Sequence, residues 1–415
     1  ARTGQGNETA MPKKRWTLAA AGLLLCAGGF GFAAEPGGRF SVDVLGTAQG
    51  LPSSAVLAVT QTRDGFLWVG TLDGLARFDG AQFVVFDENN TPGLNSSAII
   101  RLFEDRQTNL WVGTENGDIN LVKAGKVTRV DLAQGGYGGS LMAICEDRSG
   151  AVVLCTDTGL LGRYRDGKVD VWPASSGNPS TCRALIAEES GRLWVGTDTS
   201  LVALNPIPVV TDDVSPIRLN FLLASKRGGY WRLANGRIQK CKGNQVERDL
   251  GAYPWDSKLT IWAACEDLDG NLVVGTIGDG VYWFNAEGKA TRISRAEGLS
   301  HNSILSLTVD REGCLWVGTN GGGLDRVRRK FFGVLEPSAG SVVQSVCEDG
   351  RGGLWIGYTG NRVDHWTGGG AQQFSILPGS LPLDVNPDIL LDVKAVFVGR
   401  SEGALGGNWV LAGTW

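Results

Sequence analysis

With 415 residues, 42% hydrophobic and 20% charged, the chain has the length and apolar content for a large folded core, which excludes an intrinsically disordered polymer. Glycine supplies 61 residues, about twice the usual share, without a collagen period and with only 14 prolines, so many tight turns are expected. The net charge of −4 divides into +3 for residues 1–34 and −7 for the remainder; an acidic body without a basic tract offers nothing that would attract nucleic acid.

The first 34 residues carry an export signal. From Met11, "MPKKRW" is a basic start, "TLAAAGLLLCAGGFGF" an apolar core, and "GFAAE" a small-residue stretch suited to cleavage after Ala33 or Ala34. Residues 11–34 are therefore read as a signal peptide, residues 1–10 as a leader foreign to the natural product, and the mature chain as exported to the periplasmic or extracytoplasmic side. Cys26 leaves with the signal. Seven cysteines then remain, an odd number without the spacing of a disulfide framework, and Cys145, Cys265 and Cys347 recur in one small apolar slot of a repeat.

That repeat organises everything downstream. Aligned on the glycine of "WVGT", units fall at Gly70, Gly113, Gly196, Gly275, Gly318 and Gly357, with degenerate copies at Cys155 and Leu233. Successive intervals are 43, 42, 41, 37, 42, 43 and 39 residues, and a ninth, damaged unit is expected in "VKAVFVGRSEGALGGNWVLAGTW". The first unit reads as four β-prone runs, "AVLAVTQT", "FLWVGT", "LARFD" and "QFVVF", separated by Gly and Asp turns. The first two are apolar enough to be buried on both faces; the last two carry polar positions and belong further out. Four strands in about 40 residues, repeated, predict an all-β fold: a β-propeller of four-stranded antiparallel blades.

Each repeated residue type has a physical role in such a blade. Asp147, Asp267, Asp310 and Asp349 stand three residues before a glycine, where a carboxylate accepts N–H groups of its own hairpin. Trp68, Trp111, Trp194, Trp231, Trp316 and Trp355 recur in the second strand and are expected to fill the space between sheets. The "VGT" glycine lets a neighbouring segment approach closely. Units three and five depart from the pattern: Val153 replaces Trp, and "KRGGYWRLANG" loses both the Asp and "VGT", so irregular blades are expected there.

The run from "LPSSAVLAVTQTRDGFLWVGT" to "LWVGTENG" resembles the two-component regulator propeller repeat, found in extracytoplasmic sensor regions of bacterial hybrid histidine kinases and related receptors. The likeness covers residues 40 to about 365 well and the tail poorly. It implies a ligand-sensing role, two seven-bladed propellers in the whole receptor, a membrane segment and an output domain missing from this chain, and room for a homodimer of the full-length receptor. Seven blades over residues 35–340 are favoured, with 341–415 opening a second propeller; a single eight-bladed ring stays open.

Chemistry-bearing clusters are scarce. His301 and His365 are the only histidines, so a multi-histidine metal site is excluded and a Ser-His-Asp triad must use one of them. His301 reads as a polar loop residue and His365 as a solvated outer-strand residue. The "ED" pairs recur with the repeat, unlike a catalytic pair, and the "DG" and "NG" after "VGT" lack both a Walker lysine and a following helix. Oxygen ligands for calcium at Asp73, Asn116, Asp157, Asp198 and Asp279 come from different blades. No cofactor, metal or catalytic residue is expected.

Topology still locates a ligand site. The loops entering the first strand and leaving the second share one face, so Ser53, Ser54, Asp73, Asn95, Ser96, Asn116, Asp157, Asp279, Asn302 and Asn320 are the candidate ligand-binding residues at the channel mouth. Their hydroxyls, amides and carboxylates suit a small polar ligand such as an oligosaccharide. A secreted interaction scaffold, or a polysaccharide lyase or glycosidase, are the alternatives.

Overall fold

The computed structural model describes residues 40–123, 125–130, 139–172, 182–204, 210–214, 216–330, 341–348, 352–359, 362–367, 370–375, 393–400 and 408–414. The signal-like segment and Asp349 lie outside these residues. The described residues fall into two compact units, one within Gly37–Gly333 and a second that holds those from 341 onward.

In the first unit β1 (Phe40–Leu45) precedes blade 1, made of β2 (Val56–Gln61), β3 (Leu67–Thr71), β4 (Leu75–Phe78) and β5 (Phe83–Phe86) in that spatial order. Five further four-stranded antiparallel sheets repeat it. Blade 2 runs from Ile99–Glu104 to Lys126–Val130, and blade 3 from Leu141–Glu146 to Lys168–Trp172. Blade 4 runs from Ala184–Ala187 to Val210–Val214, blade 5 from Leu219–Ala224 to Gln245–Ala252, and blade 6 from Ile261–Glu266 to Ala290–Ile293. Blade 7 takes three strands, Ile304–Val309 to Leu324–Arg329, and borrows β1 as its fourth. The first strand of every blade packs against the first strands of both neighbours, and that of blade 7 packs against β2, so seven blades close into a ring.

Closure by β1 joins the two ends of the unit. Phe40 pairs with Arg329 and Leu45 with Leu324; Asp43 accepts from Arg326 at 2.9 Å and from Arg328 at 2.8 Å, and Phe40 stacks on Trp283 of blade 6. Opening the ring therefore costs strand pairing and aromatic burial together.

The second strands of the ring are buried throughout, as in Leu67–Thr71 and Leu110–Thr114, except for the half-buried Val195 and Arg232. The first strands are less buried: Val56–Gln61 buries three of its six residues and Ile99–Glu104 only the first, because one side faces the ring's axis rather than a sheet, which corrects the expectation of burial on both faces. A one-residue bulge near the start of the first strand, such as Val56/Ala58 or Ile99/Arg101, turns it into the ring.

The hairpin carboxylates do more than brace their own turns. Asp310 Oδ1 accepts the Cys314 N–H at 2.8 Å, while Oδ2 accepts Trp316 Nε1–H at 2.7 Å; Asp105 does the same for Asn109 N–H and Trp111 Nε1–H, both at 2.9 Å. One carboxylate thus ties a turn to the buried indole of the next strand. Blades 3 and 5, expected to be irregular, are complete sheets. Blade 5 has Ser225 in the Asp position, and Glu266 of blade 6 substitutes, accepting from Trp231 Nε1 at 2.6 Å, Ser225 Oγ at 2.7 Å and Lys226 N at 2.7 Å.

The "VGT" glycines are the contact between blades. A Cβ on Gly70 would lie 2.8 Å from Ile99 Cγ2, on Gly275 2.6 Å from Ile304 Cγ2, and on Gly318 2.6 Å from Val56 Cγ1. Each glycine receives the leading side chain of the next blade. Blade 3 breaks this rule with Cys155, and the leading position of blade 4 is Cys182; the two form a disulfide with a Cα–Cα distance of 6.3 Å. A covalent bond replaces the glycine contact, a pairing the cysteine spacing did not reveal. Burial raises the thiol of Cys265, which stays free, to about 12 and pushes that of Cys145 up as well, in keeping with inert packing roles.

In the second unit Val343–Glu348, Leu354–Tyr358, Arg362–Thr367 and Gly370–Ser375 form an eighth four-stranded sheet, followed by a hairpin of Val393–Arg400 and Asn408–Thr414. The hairpin repeats the leading bulge, Val393/Ala395 against Val343/Ser345, and is the ninth unit. His365 is not solvated: half-buried on the third strand, it stacks on Trp355 at 4.1 Å. No helix among the described residues is long and apolar enough to cross a membrane.

Candidate functional site

The entry and exit loops meet as the topology requires, and backbone hydrogen bonds join them from blade to blade. Asn320 pairs with Ala55, and Gly321 and Gly323 donate to the Ser54 carbonyl at 3.1 and 2.8 Å, joining blade 7 to blade 1. Ile277 pairs with Ser303, and Gly278 and Gly280 donate to the Asn302 carbonyl at 3.2 and 2.8 Å, joining blade 6 to blade 7. Between blades 2 and 3, Ser140 Oγ donates to the Glu115 carbonyl at 2.8 Å; between blades 4 and 5, Ile217 donates to the Thr199 carbonyl at 2.9 Å. Gly278 and Gly321 sit at φ of 106° and 99°, which is why the turn requires glycine there.

The ten candidate residues fall into two groups on this face. Asp73, Asn95 and Asn320 are exposed, and among the described residues their side chains make no hydrogen bond; Ser53 and Ser54 are half-buried with hydroxyls likewise unengaged. The others are spent on the loops. Asn116 accepts from Thr114 Oγ1 at 2.6 Å, Asp157 from Ser140 N at 3.0 Å, Ser96 from Ala98 N at 3.3 Å and Asn302 from Arg295 N at 2.8 Å. Asp279 is drawn to the third and fourth strands by Tyr282 Oη and the Arg292 guanidinium, away from the axis. His301 accepts the Ser303 N–H on Nδ1 at 3.0 Å, within its own turn.

Two features of the mouth escaped the reading of the loops. Trp262 occupies the bulge of the innermost strand of blade 6 and is 46% exposed, although the repeat gave no reason to expect an aromatic there. Arg183, in the corresponding place on blade 4, makes a two-pronged ion pair with Asp198 at 2.8 and 3.2 Å. Beneath the mouth, Asp325 on the third strand of blade 7 holds the "GLSHNS" loop by accepting from Ser300 N at 2.9 Å and Ser300 Oγ at 3.0 Å. It is fully buried, and that burial raises its carboxyl to about 6. Among the described residues no group of three or more His, Cys, Asp or Glu could hold a metal ion. The arrangement supplies hydrogen-bonding side chains and one exposed aromatic face, the equipment of a binding surface.

Three segments, residues 50–73, 93–116 and 298–321, match the model of the two component regulator propeller. Each runs from a mouth loop through the first two strands to the next mouth loop. No curated protein matches the chain. Among solved structures, the extracellular domain of a hybrid two component system from B. thetaiotaomicron is similar with TM-score 0.61 and 20% identity, over 89% of this chain and 52% of that one. A second extracellular domain of this kind from the same organism gives TM-score 0.54 and 20% identity, over 90% of this chain and 51% of the other. The chain thus spans about half their length. Virginiamycin B lyase from Staphylococcus aureus gives TM-score 0.58 and 12% identity, over 69% of this chain and 99% of that one. At these identities the likenesses establish the fold. The chain is a β-propeller, and three segments of it match the model of the two component regulator propeller.

Proposed function

We propose that this propeller is the ligand-sensing, extracytoplasmic part of a two-component-type signalling receptor. It binds a small polar ligand, an oligosaccharide in the first instance, at the channel mouth without turning it over, and an output domain outside this chain reads the event. The observation that carries the reading is the mouth itself: exposed, unengaged Asp73, Asn95 and Asn320 on interlocked loops, with Trp262 exposed on an innermost strand. Carboxylate and amide groups suit sugar hydroxyls, and an aromatic face suits the apolar side of a sugar ring. The repeat matches, the likeness to extracellular sensor domains and the signal-like residues 11–34 support the location.

Calorimetric titration of the protein with a panel of soluble oligosaccharides, each mixture then chromatographed for products, tests this. Saturable binding without turnover, weakened in Asp73→Ala/Asn320→Ala and in Trp262→Ala, is expected. Product formation would make the protein an enzyme, and unchanged affinity in both variants would move the site elsewhere.

A further inference from the structure

Between blades 1 and 2, outside the first strands, lies a cavity of about 770 Å³, within the range of small-molecule sites. The third-strand residue facing it is one contributor: this register position is Val122 in blade 2, and Leu204, Cys241 and Val327 in blades 4, 5 and 7, but a ring in blades 1 and 3. At the corresponding position of blade 3 the third strand carries Tyr164, which packs edge-on against Trp111 at 4.9 Å, and blade 1 places Phe78 against Trp316 at 5.9 Å. Blade 2 places Val122 there, opposite Leu110, and the space beside Trp68 is left unfilled.

The lining carries two cations, Arg77 and Lys123, and two carboxylates, Asp64 and Glu104, but its unused hydrogen-bonding groups are donors. Trp68 is 8% exposed, and because Thr62 stands where blades 2, 3, 6 and 7 have the hairpin Asp, its Nε1–H has no acceptor among the described residues. Arg77 lies 4.4 Å over Phe66 and 5.9 Å over Trp68, and neither it nor Lys123 has an ion-pair partner among the described residues. The two nearby carboxylates are already occupied. Asp64 accepts from Thr62 Oγ1 at 2.6 Å, and Glu104 accepts the Arg63 N–H on both oxygens at 3.0 and 3.1 Å.

We infer that this cleft is a second binding site, separate from the mouth, for an amphipathic organic carboxylate. Its aromatic or aliphatic body fills the space bounded by Val122, Phe86 and Val127, and its carboxylate takes the Arg77 guanidinium and the Trp68 N–H. A neutral apolar molecule would leave both donors unused, and a sugar would place hydroxyls against valine and phenylalanine.

Calorimetric titration of the full chain with 2-naphthoate and with the uncharged 2-naphthylmethanol tests the site. Naphthoate is expected to bind once per chain, at least about tenfold tighter than the alcohol, and Arg77→Gln to lose about the same factor, the usual weight of a charge-assisted hydrogen bond. Val122→Tyr, copying Tyr164, is expected to abolish binding while leaving the melting temperature unchanged or higher. Absence of binding to the natural chain, equal affinity in Arg77→Gln, or retained binding in a folded Val122→Tyr would each overturn the proposal. Because the mouth variants leave these residues untouched, its failure and that of the mouth are told apart.

Discussion

Replacing Asp325 by Asn isolates the cost of one buried charge. The carboxyl is fully buried opposite Val317; Oδ2 has the two bonds from Ser300, but Oδ1 has no partner. Burial raises the group from 3.8 to about 6, against the opposing pull of those two bonds. A folded-state value above the unfolded one means that the proton favours the folded form: its stabilising effect is complete below about pH 4 and is lost as the pH rises through about 6. At about 1.36 kcal/mol per pH unit, the ionised carboxylate costs the fold about 3 kcal/mol at pH 7.5. Asn removes that charge, and blade 2 has the wholly buried Asn120 at the corresponding position opposite Val112; its amide has no hydrogen-bond partner among the described residues, so an unpaired amide would offset part of the gain. Urea unfolding followed by tryptophan fluorescence should show Asp325→Asn more stable by about 1–3 kcal/mol at pH 7.5, the difference shrinking below about 1 kcal/mol at pH 4. A variant no more stable at pH 7.5, or a difference that does not shrink in acid, would refute the reasoning.

Two further substitutions test how the blades are joined. Gly318→Ala places a Cβ 2.0 Å from Ser306 Oγ and 2.7 Å from the Val56 carbonyl, at the junction that closes the ring, and should cost about 1–3 kcal/mol by thermal melting; an unshifted melting temperature would show that the junction is loose. Cys182→Ser removes a bond that closes a 27-residue separation between blades 3 and 4 and should lower stability by about 3–4 kcal/mol under oxidising conditions. In reductant the natural chain should fall to the variant's level, and a gap that persists would assign the loss to packing instead.

Where a residue's role repeats around most of the ring, the sequence alone conveyed it. The second-strand tryptophans, the "VGT" glycines and the hairpin carboxylates recur about every 40 residues, so the period identified the blade, and the two-strand return placed the mouth loops on one face. What stayed hidden depends on partners in other blades. β1 pairs with a strand 283 residues away. Cys155 and Cys182 look unrelated until each is matched to its register position: one replaces a "VGT" glycine, the other the side chain that glycine receives. Asp279 reads like Asp73 in the turn, yet Tyr282 and Arg292 draw it outward. Trp262 is a single departure, an aromatic gained at the mouth, and the cleft beside Val122 depends on what the neighbouring blade places opposite it, which no repeat average displays.

Hydrogen exchange of the intact chain, with and without the oligosaccharide that binds best in titration, tests the mouth most directly. Slowed exchange is predicted at residues 72–74, 95–98, 115–118, 300–303 and 320–323, the loops that entry and exit strands bring to one face. Slowing confined to the opposite-face turns at 63–65, 106–108, 268–270 and 311–313, with the mouth loops unchanged, would contradict the account.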